Sequence, residues 1–433
     1  MKGSVSKKER LLGALIIGAA FVTYIAITAS RMLYNSEKLT LIEENIATLT
    51  DAANVFSVFM VSYALAQIIL AVVMKKMNLK RYIIITITGA SLVTSSMVFT
   101  STIAEHYVIF ALMGVFQAGF WSCNLKLLSV YLPSSMLPSS SAVMTMGPGV
   151  AGALSFGVAA LFGSNWRLPF LAMGVLSLVS VIVYTVSLSS LEHVRAENSL
   201  GRAKDERVEI PDSYSFFESG FGTVIFYAVS IFAGCSLLSI FTIIGNNFDV
   251  YLKLVGNMDV GTVKIIMVIM PLVAAVGPFM TVGSVERRKG DFLAVIREYV
   301  LPSLLFIGAG LILFCTYVIP TFILFLVFYV LIHGSRAVIL SVAPFKMREK
   351  LDTGVYSITV NATCAITSGI IPVFAARIIE NNEVEEGFCK VFVWMLLWTA
   401  AVAAVVAFVE LYIRSWAKKR VSSAEDLTSV GKA

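Results

Sequence analysis

The sequence predicts an all-α polytopic membrane protein with twelve transmembrane helices in two six-helix halves. Three observations lead there. Of the 433 residues, 58% are hydrophobic and 14% charged, whereas ordinary soluble domains carry about 25% charge. The apolar residues fall into about twelve runs, each near the ~20 residues that cross a bilayer as a helix. One polar stretch, residues 191–219 (LEHVRAENSLGRAKDERVEIPDSYSFFES), divides those runs into two equal sets. Backbone groups in lipid must be paired internally, so the runs are helices. Barrel strands would alternate apolar and polar residues, and these runs do not. The expected organisation is an N-terminal bundle over 1–189, a central loop over 190–221, a C-terminal bundle over 222–416 and a tail over 417–433. Paired halves of this kind are a common plan for secondary transporters.

Span 1 runs from about Leu11 past Arg31, behind Lys7, Lys8 and Arg10. A basic start before an apolar run also fits a signal peptide, but the run to Ser30 exceeds the usual apolar region of one. Cleavage would also leave an odd number of spans, so it is read as an uncleaved helix. A polar loop with Glu37, Glu43, Glu44 and Asp51 follows. Span 2 covers about Ala53 to Met74 and ends in MKKMNLKR. Span 3 covers about Tyr82 to Thr102, and span 4 about Tyr107 to Tyr131. Span 5 contains MGPGVAG, read as close packing or a kink, and span 6 ends near Ser189. Spans 7 to 12 fall at about Gly222–Asn246, Gly261–Gly283, Tyr299–Val318, Thr321–Phe345, Val355–Ile378 and Lys390–Ile413. The basic turn after span 2 has a counterpart after span 8, GSVERRKGD, as a duplicated six-helix unit predicts; both turns also read simply as positive-inside anchors, and the twelve-span count favours the repeat.

Lys and Arg set the orientation. They gather before span 1, after spans 2, 6, 8 and 10, and in the tail, while the alternate loops are acidic, as in IENNEVEEGF. Both termini and the central loop are therefore expected in the cytoplasm, in a multi-pass protein of the plasma (cell inner) membrane. The net charge of +6 is spent on these topology signals, which argues against a nucleic-acid partner. The five cysteines are odd in number and form no CxxC, so neither a disulfide framework nor a metal site is expected. No phosphate-binding glycine motif, metal-ligand cluster or nucleophile–base–acid set is present. An enzyme and a cofactor are not expected.

Charge inside a span marks function by default. The bases read as lying inside spans are Arg31, Lys126 and Arg336, with no acid of comparable depth. Tyr24, Thr28 and Arg31 share one helical face, as do Tyr329, His333 and Arg336. Arg31 is read either as an anion anchor or as a base snorkelling to the interface. His333 is either a relay or a packed histidine. Gln117 and Trp121 lie four apart on span 4, with Lys126 nearly opposite Gln117 and best suited to a structural role. Span 7 carries Cys235, Ser239, Thr242 and Asn246 on one stripe, and span 11 carries Ser357, Asn361, Cys364 and Ser368. Such small polar residues also glue helices together.

The run Gly114-Val-Phe-Gln117-Ala-Gly-Phe-Trp121, with Lys126 beyond it, resembles the fourth-helix signature of the organophosphate:phosphate antiporters. That family includes the glycerol-3-phosphate transporters and lies within the major facilitator superfamily. Tyr24 through Arg31, Tyr63-Ala-Leu-Ala-Gln67, and His333-Gly334 followed by Pro344 and Asn361 are similar to other stretches of that family. The resemblance implies a twelve-helix fold, rocking halves and a cavity lined by helices 1, 4, 7 and 10. It departs in span 7, which has no base, in span 5, which has no histidine, and after span 2, where Lys75 replaces an acid.

The expected function is secondary active transport of a small organic anion by alternating access. Sugar phosphates or glycerol phosphates are the substrates the resemblance implies, moved by exchange or ion coupling. The expected substrate-binding residues are Arg31, Tyr24, Tyr63, Gln67, Gln117, Trp121, His333, Arg336 and Asn361. The expected partners are a small solute and the lipid bilayer, with the protein a monomer. A transporter-like sensor and an exporter of a different solute are the other readings.

Overall fold

The computed structural model describes residues 7–73, 76–132, 136–198, 220–287, 300–338 and 353–430, and every regular element among them is helical. In chain order these are α1 (Lys7–Glu43), α2 (Leu49–Val73), α3 (Leu79–Ser96), α4 (Ile103–Gln117), α5 (Phe120–Tyr131), α6 (Leu137–Phe162) and α7 (Arg167–Asn198). They continue as α8 (Gly220–Leu254), α9 (Val260–Ala274), α10 (Gly277–Arg287), α11 (Leu301–Leu313), α12 (Val318–Ala337), α13 (Thr353–Glu380) and α14 (Val384–Val430). Eleven stretches among the described residues are long and apolar enough to cross a membrane. The shorter apolar α11 stands in the place of span 9, and residues 288–299 just before it lie outside the described residues. Large apolar side chains such as Phe99, Leu161 and Phe306 point outward, as an apolar solvent allows.

Several boundaries differ from the sequence expectation. α7 continues to Asn198, into the expected central loop, and α8 continues past Asn246 to Leu254. Span 8 is two helices, α9 and α10. Three further differences have a local reason. α1 does not stop after Arg31 but continues to Glu43, because residues 31–43 contain neither Gly nor Pro. Glu37 therefore lies in the helix and not in a loop. Span 4 is two helices, broken at Ala118 and Gly119. Ala118 is extended, Gly119 takes φ +79°, and the Ala118 carbonyl accepts a hydrogen bond from Tyr82 Oη at 2.6 Å. α14 runs on to Val430, into the expected tail, again with no Gly or Pro after Gly387. Residues 199–219 of the expected central loop lie outside the described residues.

The apolar core sorts by position in the chain. One cluster is built from residues between Ala233 and Val406, joined by Leu39, Leu49, Ala53 and Phe156. Two others are built from residues between Ile16 and Leu188, joined by Ile358, Ala362 and Ala365. Two seams connect the first seven helices to the last seven: α2 packs along α13, and α6 along α9. Small residues let the seams close. A Cβ on Gly149 would lie 2.6 Å from the Pro271 carbonyl oxygen, and one on Gly369 would lie 2.8 Å from Met60 Cβ. The MGPGVAG run thus acts as a close-packing surface across the α6–α9 seam.

Gly119 is held to glycine twice over. Its positive φ costs other residues about 1–2 kcal/mol, and a Cβ there would overlap Leu70 Cδ2 at 1.8 Å. Gly119→Ala is expected to destabilise the protein by about 1–3 kcal/mol through strain and overpacking. Thermal unfolding in detergent, followed by tryptophan fluorescence, checks this.

Candidate functional site

A cavity of about 120 Å³ lies between the two sets of helices. α1 supplies Tyr24, Thr28, Arg31 and Asn35 on one stripe, the face expected from their spacing. Gln117 ends α4, and Phe120 and Trp121 open α5, so the break in span 4 falls at the cavity wall. From the other side α8 contributes Thr242 and Asn246, α12 contributes Tyr329, His333 and Arg336, and α13 contributes Asn361.

The internal contacts are specific. Tyr24 and Trp121 pack with ring centroids 5.0 Å apart, and Tyr329 and His333 at 5.7 Å. Asn361 Nδ2 donates to Tyr63 Oη at 3.0 Å, joining α13 to α2 across the seam. Gln117 Nε2 donates to Ser30 Oγ at 3.2 Å, while its Oε1 is buried with no partner among the described residues. The guanidinium groups of Arg31 and Arg336 lie within electrostatic range of each other and of Tyr63. Neither has a hydrogen bond or ion pair among the described residues. No Asp or Glu is among the described lining residues.

Eight of the nine residues singled out from sequence line this cavity. Gln67 does not: it is fully buried on α2, one turn beyond Tyr63, with neither amide atom hydrogen-bonded among the described residues. On the span 7 stripe, Thr242 and Asn246 reach the cavity but Cys235 and Ser239 do not, and Lys126 also lies off it.

The expectation that no acid lies deep in a span is corrected, and so is the set of three embedded bases. At the end of the bundle where α1 finishes and α2 begins (the distal end), Lys38 Nζ pairs with Asp249 Oδ1 of α8 at 2.8 Å. One residue earlier, Glu37 Oε2 pairs with Lys264 Nζ of α9 at 2.6 Å. All four side chains are at most 3% exposed. Burying unpaired charge is costly, so these residues enter the helices only as pairs. The sequence expectation ended span 1 soon after Arg31 and span 7 at about Asn246, which left out Glu37, Lys38 and Asp249, and it passed over Lys264 near the start of span 8. The available signal was the uninterrupted helix former run beyond Arg31, and Lys264 within the apolar VGTVKIIMVIM.

The cysteine expectation is also corrected. Cys315 and Cys389 form a disulfide with Cα atoms 6.1 Å apart, joining the α11–α12 turn to the second turn of α14 at the distal end. Pairing here depended on tertiary proximity over 74 residues, which no local motif announces. Cys123, Cys235 and Cys364 are buried and take no part in a disulfide.

The sequence profile described as Major Facilitator Superfamily matches residues 16–372. No curated protein matches the chain in a sequence search. Among solved structures, the chain is similar to a bacterial homolog of the human lysosomal transporter Spinster, in an inward-facing and occupied conformation. That match has 15% identity, covers 94% of this chain and 98% of that one, and has a TM-score of 0.70. It is also similar to the nucleoside transporter NupG at 12% identity, covering 92% and 98%, with a TM-score of 0.60. Identities this low bear on the fold alone.

Proposed function

The chain belongs to the Major Facilitator Superfamily, a multi-pass transporter and not an enzyme, and from that premise we propose that it carries a small organic anion by alternating access. The observation that carries this reading is the pair of guanidinium groups, Arg31 and Arg336, facing one cavity that has no acid among its described lining residues. A fixed positive charge in a low-dielectric cavity needs a counter-charge, and the bound solute supplies it. The bases come from opposite sides of the α2–α13 and α6–α9 seams, so one anionic group held between them would tie the two six-helix halves together. Spans 1 and 10 (α1 and α12) provide these arginines, in place of the first and seventh spans of the phosphate antiporters that the span 4 motif resembles.

The remaining wall suits an organic body. Tyr24, Phe56, Phe120, Trp121, Phe156 and Tyr329 give it aromatic surface. Gln117 Oε1 and Asn361 offer hydrogen bonds at the wall where α5 opens with Phe120 and Trp121. Sugar phosphates and glycerol phosphates, moved by exchange, are the substrates within this class to which the span 4 motif points. Gln67, one turn behind Tyr63 and buried with its amide unbonded among the described residues, is assigned to the same site.

The distribution of Lys and Arg puts the distal end outside the cell and both termini in the cytoplasm. The Cys315–Cys389 disulfide at the distal end supports this, since disulfides persist in oxidising compartments. The protein is read as a monomer in the plasma membrane.

A ligand panel tests the reading on purified protein. Binding to the folded state raises stability by about 2.7 kcal/mol at one hundred times Kd. Organic phosphates and carboxylates are expected to raise the unfolding temperature, and neutral sugars of similar size to leave it unchanged. A shift with the neutral compounds alone would refute the anion site.

A further inference from the structure

Cys235 and Cys364 lie off the cavity lining, yet they meet each other. Cys235 is on α8 and Cys364 on α13, two helices that pack along one another. The Cys235 thiol lies against the Cys364 thiol and against the hydroxyl of Thr367, one turn further along α13. Both cysteines belong to one apolar core cluster and are 7% and 0% exposed. The pair stands just behind the cavity wall. Leu238, one turn from Cys235, lines the cavity, as do Asn361 and Ala365 on either side of Cys364. The Arg336 guanidinium, also part of that lining, is within electrostatic range of Cys364.

We propose that Cys235 and Cys364 are a redox-modification site, a dithiol that a small neutral peroxide closes to a disulfide, tying α8 to α13 behind the cavity. Hydrogen peroxide is the one co-reactant needed. One sulfur, as its thiolate, attacks a peroxide oxygen. The O–O bond breaks, the departing oxygen leaves as water, and the sulfur becomes a sulfenic acid. The second sulfur attacks the first, the S–O bond breaks, and a second water leaves. Two thiols are oxidised, giving up two electrons and two protons, and one peroxide is reduced to two waters.

The surroundings favour closure at this pair. A sulfenic acid formed against a second thiol condenses to a disulfide, instead of climbing to an irreversible higher oxide. Arg336 places positive charge within range of Cys364, the setting in which thiols react. Hydrogen peroxide is uncharged, so entering the protein costs it far less than it would cost an ion. Cys123 provides the contrast. It lies on α5 with a base, Lys126, in range, while the other four cysteines all lie among the last seven helices. The tie also reaches the seam, because Asn361, one turn before Cys364, bonds Tyr63 of α2. A covalent link takes away the freedom of α8 and α13 to slide, so oxidation is expected to slow transport. That consequence rests on the transport reading above, and the site itself does not.

Mapping the cysteines reads the site without any substrate. The purified full-length protein is exposed to hydrogen peroxide, unfolded in N-ethylmaleimide without reductant, digested, and analysed by mass spectrometry. The expected result is a linked peptide pair carrying Cys235 and Cys364, absent before peroxide and lost on adding dithiothreitol, with Cys123 alkylated. The linked Cys315 and Cys389 peptides serve as the positive control before and after peroxide. Cys235 and Cys364 both recovered alkylated, or each recovered as a separate sulfinic or sulfonic acid, would overturn the site. In proteoliposomes, peroxide is expected to slow labelled-phosphate exchange severalfold in the parent and to leave Cys235→Ser unchanged. Equal slowing in that variant would overturn the tie. Absence of phosphate exchange altogether, with the linked pair present, would count against the anion reading and not against the dithiol.

Discussion

Arg31→Ala is expected to lower uptake by about two to three orders of magnitude while the protein still inserts and folds. Removing one partner of a desolvated charge contact costs about 2–5 kcal/mol, and each 1.4 kcal/mol is about tenfold. Arg31 lines the cavity and has no hydrogen bond or ion pair among the described residues, so its loss leaves no buried partner stranded. That separates its effect on function from its effect on stability. Arg31→Lys keeps the charge but loses the planar fork, so an intermediate uptake is expected. The checks are initial uptake rates in reconstituted vesicles, with unfolding temperature measured on the same preparations. Normal uptake by Arg31→Ala would remove the anion anchor from the account.

The second large effect is expected six residues further along α1, at Glu37, on stability. Lys264→Met alone should destabilise the protein by about 3–5 kcal/mol, because it leaves Glu37 buried and uncompensated. Glu37 is fully buried and its Oε1 already has no partner among the described residues, so little remains to absorb the charge. Glu37→Met together with Lys264→Met removes both charges at similar volume and is expected to recover most of that loss. Unfolding followed by tryptophan fluorescence distinguishes the two variants. A double variant as unstable as the single one would mean that the shape of Lys264, and not the charge on Glu37, was decisive.

These two residues also mark what sequence could and could not reveal. The stripes Tyr24–Thr28–Arg31 and Tyr329–His333–Arg336 were legible because helical period and membrane cost speak together: a polar face in an apolar run must look inward. The bundle of spans was legible for the same reason, since only a bilayer tolerates so many long apolar helices. Glu37, Lys38, Asp249 and Lys264 were only partly legible: the helix-former run beyond Arg31 and the apolar run around Lys264 place charges in helices, but each charge alone looks interfacial. Their burial depends on partners more than 200 residues away. Likewise the break after Gln117 needed Gly119 in a left-handed conformation against Leu70, a tertiary contact that the GVFQAGFW run does not announce. Cys315 and Cys389 meet only because the turn between α11 and α12 comes beside the start of α14.

The most direct measurement is exchange in proteoliposomes loaded with unlabelled phosphate and supplied outside with labelled phosphate. Organic phosphates, carboxylates and neutral sugars would be added as competitors, in parallel with the Arg31→Ala variant. The account predicts labelled uptake that organic anions suppress, that neutral sugars leave untouched, and that Arg31→Ala loses. Uptake of a neutral sugar that no anion competes with, undiminished in Arg31→Ala, would contradict it.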